Sequence, residues 1–245
     1  MYELGVLQAA LNGSRDPDEH PAIPRTPEAL AREARPAVAA GAEVLHVHVH
    51  DSEDRETFEG EPTAQALAAI RAATPGVPIS LSTSAEIEAD PARRLALVST
   101  WTELPDPVTA NQGEPGIVEL CEHLIARGVG IEAGLLEAAD AEAFVASGLA
   151  RRCVRAMVEP LEHDIGAALA QAAAIEEIIT RAGIGLPQVH HGDQLASWAV
   201  NERAVARGHG IRTGLEDTVV LPDSSTPAGN GDLVRAAAQI LAGAS

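Results

Sequence analysis

With 245 residues, 46% of them hydrophobic, the chain is long enough to bury a sizeable core, and its formal net charge of −19 disfavours nucleic acid or an anionic membrane surface as partner. All 17 basic residues are arginine, so Schiff-base aldolases, pyridoxal-phosphate enzymes, P-loop nucleotidases and carbamylated-lysine hydrolases, which all need a lysine amine, are excluded. Aromatic residues make up only 2%, which leaves Ala, Val, Leu and Ile to build the core.

In chain order, strand-like runs are expected at 5–11, 43–50, 77–82, 106–111, 130–134, 152–158, 187–191 and 210–214. Between them, segments such as 26–40, 64–73, 115–127, 139–147, 165–181, 196–207 and 231–242 carry Ala, Leu and charges at helical spacing. Thr26-Pro27-Glu28 places a cap, a first-turn proline and an acidic residue at one helix start, and Gly41, Gly128, Gly183 and Gly208 mark helix ends. Eight alternating β and α units imply a parallel sheet closed as a (β/α)8 TIM barrel, one domain over 1–245. A doubly wound dinucleotide fold competes, but no Gly-x-Gly-x-x-Gly follows the first strand. Residues 1–10 lack a basic leader region, no apolar run approaches the roughly 18 residues of a membrane span, and Cys121 and Cys153 are too few for a disulfide framework. A cytoplasmic protein with buried, reduced thiols is the expectation.

The run Leu45-His46-Val47-His48-Val49-His50-Asp51 carries the most information. On an extended strand, His46, His48 and His50 share one face, and two imidazoles at i and i+2 form a rigid half of a metal site. The completing carboxylate could be Asp51, Glu132, Glu159, Glu216 or Asp217. Glu216 is preferred because strands 8, 1 and 2 are neighbours around a closed barrel. Two histidines, one carboxylate and water would make an open zinc site, with His50 as a supporting group. Of His190 and His191, one is expected to face the barrel and the other a helix.

Together, Leu45-His46-Val47-His48 with Asp51, and Arg212-Thr213-Gly214-Leu215-Glu216-Asp217, resemble the β-keto acid cleavage enzyme family, typified by 3-keto-5-aminohexanoate cleavage enzyme. Asn12-Gly13, Ser82-Thr83, Thr109-x-Asn111 and His190-x-Gly192-Asp193 add to the likeness. The resemblance implies a zinc-dependent acyltransferase, forming homo-oligomers (tetramer or dimer), that condenses a β-keto acid with acetyl-CoA and releases acetoacetate and a new acyl-CoA. It implies His46, His48 and Glu216 as metal ligands, Asp217 as general base oriented by Arg212, and Glu132 beside Arg212. By the same resemblance Ser82, Thr109 and Asn111 would hold substrate oxygens, with Thr83 and Asn12 at the substrate site. Ser14-Arg15 stands where the family's type member has an acidic residue suited to a substrate amine, so Arg15 points to an anionic or neutral polar substrate tail. Arg15, Arg94 and Arg152 are candidates for the CoA phosphates. Alternatives are a metal-dependent hydrolase of the amidohydrolase type, which expects its HxH on the first strand, and a non-catalytic metal-binding barrel.

Overall fold

The computed structural model describes residues 6–243. Eight parallel strands, β1 (Leu7–Ala10), β2 (Val44–Val47), β3 (Ile79–Ser82), β4 (Pro107–Asn111), β5 (Gly130–Leu135), β6 (Arg155–Val158), β7 (Gln188–His190) and β8 (Gly210–Thr213), close in sequence order into a barrel. Around it run α1 (Pro27–Ala39), α2 (Gly60–Ala73), α3 (Pro91–Ser99), α4 (Ile117–Ala126), α5 (Ala138–Ser147), α6 (Ile165–Arg181), α7 (Ser197–Ala206) and α8 (Asn230–Gly243). The chain is a (β/α)8 TIM barrel, as the alternation predicts. None of the helices among the described residues is long and apolar enough to cross a membrane.

Helix starts follow the capping chemistry of the sequence. The Thr26 hydroxyl accepts from Ala29 N–H, Asp90 caps α3 ahead of Pro91, and Asp164 accepts from Ala167 N–H. α3 is the helix that the periodicity does not reveal: it is nine residues long and buries only Arg94 and Val98, too little for an apolar stripe. Most strands are shorter than expected, and for two the cause is visible. β2 ends at Val47 because Asn12 takes over the pairing of the next residue, its Oδ1 accepting from His48 N–H at 3.0 Å and its Nδ2 donating to His48 O at 2.8 Å. Residues Leu149–Arg152 form a 3-10 turn, so β6 starts at Arg155 rather than 152. Gly5, expected to open the first strand, lies outside the described residues.

The barrel has two kinds of interior. Outward-facing residues such as Leu45, Val47, Ile79, Leu81, Ile131 and Ile211 pack with Leu30, Leu67, Leu120 and Phe144 of the helices into one continuous apolar layer. Inside the ring, the apolar cluster among the described residues is a small one of Val6, Val44, Met157 and Val189. Around it the side chains turn polar: Gln8, Ser80, Thr109, Glu132, Arg155 and Arg212 are all buried. Cys121 and Cys153 are buried free thiols, and burial pushes them up to about 11 and about 12.

Outside the barrel, Glu176 of α6 ties the last units together: it accepts from Arg203 at 2.6 Å and Arg207 at 2.5 Å, and lies 3.2 Å from His209 Nε2. Burial alone would raise the Glu176 carboxyl, but Arg207, Arg203 and His209 bring it down from 4.5 to about 2. A depressed carboxyl contributes stability above its unfolded value and loses it as pH falls through its folded one. Glu176→Gln is therefore expected to lower the neutral-pH Tm by about 2–4 °C. The gap to the parent should shrink between pH 4.5 and about 2 in thermal melts followed by circular dichroism.

Candidate metal centre and active site

Sequence parity places the mouth residues. His46 in β2 and His48 just past its end follow inward-facing Val44 at steps of two, and in β8 inward-facing Arg212 leads to Glu216 through Gly214. Gly214 is dictated by close approach: a Cβ there would fall 1.9 Å from Ala10 O, so any other residue would prise β8 away from β1. Gly13, at φ +59, likewise leaves room for Glu216, whose Cγ would lie 2.4 Å from an added Cβ.

His46 Nε2 and His48 Nε2 lie 3.7 and 3.6 Å from Glu216 Oε1. One ligand atom from each of the three residues falls within 4.8 Å of the others. Glu216 Oε2 is buried with no hydrogen-bond partner, a costly state that a bound cation would relieve. The donor set, two imidazoles and one carboxylate, suits zinc or a similar divalent metal. Both histidines are held from behind. His48 Nδ1 sits 3.0 Å from Glu56 Oε2, and His46 Nδ1 sits 3.3 Å from Ser80 Oγ and 3.4 Å from Thr109 Oγ1.

The charges are arranged around Arg212. One of its terminal nitrogens donates to Glu216 Oε1 at 2.8 Å and to Asp217 Oδ1 at 2.7 Å. His191 Nδ1 approaches the same Asp217 oxygen at 3.3 Å, and its Nε2 meets Glu159 Oε2 at 2.9 Å. Burial would raise both carboxyls, yet Arg212 with His46 and His48 holds Glu216 well below the usual range, and Arg212 with His191 lowers Asp217. Burial pushes His46 down to about 4, keeping it neutral. Burial opposes charge on His48 and His191 too, but carboxylates prevail: Glu216 and Glu56 carry His48 up to about 10, and Asp217 and Glu159 carry His191, against Arg212 as well, up to about 9.

A cavity of about 230 Å³ opens over this cluster, and Ser82, Thr109 and Asn111 line it. The other residues expected to touch substrate are used elsewhere. Asn12 grips the His48 backbone and Pro24 O, and the Thr83 hydroxyl donates to Thr109 O at 2.8 Å. Arg15 folds back to donate to the carbonyls of Glu216 and Asp217 at 2.8 and 3.2 Å, so it fixes the last loop and is not among the residues that line the cavity. Glu132 is not beside Arg212. It sits deeper in the ring, in register with Arg155, whose Nε is 3.3 Å from Glu132 Oε1. Arg94 is buried against Glu114, and Arg152 lies before β6 at the opposite end of the barrel, paired with Glu122, so neither faces the cavity. Asp51 pairs with Arg55 in the β2–α2 loop. His50 lines a separate cleft with Arg25, while its backbone bridges Glu56 and so helps bring that carboxylate to His48. His191 faces the cavity and His190 faces outward, stacked on His209 at 4.7 Å. Glu159 and His191 carry more of the site than the motifs suggest; their signal was the two-residue step from inward Met157 and Val189.

A sequence profile of the β-keto acid cleavage enzyme family matches residues 5–157 and 165–245. A 3-keto-5-aminohexanoate cleavage enzyme of Fusobacterium nucleatum is 28% identical over 96% of this chain and 90% of its own length. One from Acetoanaerobium sticklandii is 32% identical over 49% of this chain and 45% of its own. Among solved structures, a ternary complex of ObcA with a C4-CoA adduct and oxalate superposes with a TM-score of 0.76 at 16% identity, over 91% of this chain. This chain spans 64% of that structure's length. A 3-dehydroquinate dehydratase from Geobacillus kaustophilus, with a TM-score of 0.65 at 14% identity over 97% of this chain and 90% of its own, shares the barrel alone. With the family profile running over nearly the whole barrel, from β1 to α8, the chain belongs to the β-keto acid cleavage enzyme family.

Proposed function

We propose that this enzyme is a zinc-dependent C-acyltransferase that condenses a β-keto acid with acetyl-CoA and cleaves the adduct to acetoacetate and a new acyl-CoA. The observation that carries the reading is the state of Asp217. Its Oδ1 is taken by Arg212 and His191, while its buried Oδ2 has no partner and the residue lines the cavity next to the three metal donors. Such an oxygen is poised to accept a proton from carbon.

A zinc ion held by His46, His48 and Glu216 would supply Lewis acidity at a keto oxygen. Asp217 Oδ2 takes the proton from the carbon between the keto and carboxylate groups. That carbon attacks the acetyl carbonyl and expels the CoA thiolate, which then attacks the original keto carbon. Breaking the bond from that keto carbon to the deprotonated carbon of the original acid leaves the new thioester and a carbanion. Asp217 returns its proton there, giving acetoacetate. Arg212 keeps Asp217 ionised between these steps and fixes its direction.

Ser82 supplies the hydroxyl for substrate oxygens, since its oxygen accepts from Ser84 N–H at 3.3 Å and its own proton is uncommitted. Thr109 cannot serve in that way, because its proton goes to Glu132 at 3.0 Å. Asn111 presents its carbonyl end near Gly134, its amide donating to Glu114 at 2.9 Å. The cavity, at about 230 Å³, holds a small keto acid, and the bulk of the coenzyme must extend out of the mouth.

His48→Ala is expected to abolish stoichiometric zinc in metal analysis of the purified protein, where the parent should hold one ion per chain. Asp217→Asn should retain its zinc yet lose about 10²–10⁴-fold in kcat for acetyl-CoA-dependent acetoacetate formation across a panel of β-keto acids. Bound zinc with no CoA-dependent product from any acid would overturn the acyl-transfer reading in favour of a metal-dependent hydrolase.

A further inference from the structure

We infer that Glu132 is a positioning residue that fixes the tautomer of His46 through two hydroxyl groups, so that the ring keeps its proton on Nδ1 and turns a bare Nε2 toward Glu216. The zinc arm of this inference rests on the reading above, while the tautomer itself does not.

Glu132 is fully buried on β5, and every polar neighbour gives it a proton. Its Oε1 accepts from Gln8 Nε2 at 3.0 Å and lies 3.3 Å from Arg155 Nε. Its Oε2 accepts from Ser80 Oγ at 2.5 Å, Thr109 Oγ1 at 3.0 Å and Gln8 Nε2 at 3.2 Å. A carboxylate offers only acceptors, and each hydroxyl has a single proton. With both protons spent on Glu132, Ser80 and Thr109 present only lone pairs to His46 Nδ1, at 3.3 and 3.4 Å. A bare Nδ1 there would face two lone pairs, so Nδ1 must bear the hydrogen. Nε2, 3.7 Å from Glu216 Oε1, is then the free ligand nitrogen. At His48 a carboxylate faces the ring directly, with Glu56 Oε2 on Nδ1 at 3.0 Å.

Arg155 makes the device reversible by mutation. In Glu132→Gln, the side facing the Arg155 and Gln8 donors still needs an oxygen, so the new amide must turn its NH2 toward Ser80 and Thr109. The hydroxyls would then accept from the amide and donate to His46 Nδ1, moving the ring proton to Nε2 and blocking the ligand position.

Long-range ¹H–¹⁵N spectra of the metal-free protein at neutral pH, with His46 identified by its loss in His46→Gln, test this directly. The parent should show His46 as Nδ1–H. Glu132→Gln should show Nε2–H for His46 with the His48 signals unmoved, and its zinc Kd should weaken about 10–100-fold. A merely structural role would disturb both rings together. An Nε2–H His46 in the parent, or an unchanged tautomer in folded Glu132→Gln, overturns the inference. If that variant does not fold, Ser80→Ala/Thr109→Val, which deletes both hydroxyls, should yield mixed His46 tautomers, and a pure Nδ1–H form overturns it equally. A parent that shows Nδ1–H yet binds no zinc would support the tautomer and sink the metal reading.

Discussion

One guanidinium nitrogen holds two adjacent carboxylates inside this barrel, and the mouth is organised around that contact. Glu216 and Asp217 are neighbours in sequence and both are enclosed, so without Arg212 they would repel each other in a medium that screens poorly. Arg212 sits between them at 2.8 and 2.7 Å and so permits two negative charges where a metal and a base are wanted side by side. The same logic repeats around the ring, with Glu132 against Arg155 and Glu159 against His191, so that buried charges meet a partner of opposite sign.

Such a polar interior can be tolerated because cohesion comes from elsewhere. The apolar layer between strands and helices is continuous, whereas the apolar cluster of the ring interior, among the described residues, is the small one of Val6, Val44, Met157 and Val189. Inward-facing glycines make room for the large polar groups: a Cβ on Gly134 would lie 2.4 Å from Asn111 Oδ1 and 2.9 Å from Glu159 Oε1. Packing and chemistry are thus carried by opposite faces of the same strands, and alternation along the chain separates them.

That alternation is why much of the site could be read from the sequence. The HxH of the second strand and the carboxylates after the eighth are local patterns whose meaning needs only parity and ring closure, and the structure brings His46, His48 and Glu216 together. Side chains whose partners lie far along the chain were not legible. Arg15 looks like a loop cation free to meet a substrate, yet its partners are the carbonyls at 216 and 217, reached only by folding. Asn12 reads as a polar residue at a strand end, and the fold uses it to replace a ladder pair. Glu132 was placed near the mouth by its strand, but the stagger of the ring sets it a layer deeper, level with Arg155. α3 escaped notice because so little of it is buried.

Ring closure has a consequence for how the protein is made. The two histidines stand on the second strand and the two carboxylates follow the eighth, with β1 the only strand between them. A chain emerging from the ribosome presents His46 and His48 long before Glu216 and Asp217 exist, and the halves meet only across the β8–β1 seam. Arg15 and the Gly214 contact with Ala10 stitch that seam at the height of the site. Competence for chemistry is therefore a property of the finished ring: no partly synthesised or unzipped barrel brings both pairs together, and a ligand that bridges them would act as a clasp on the seam, binding closed chains in preference to open ones.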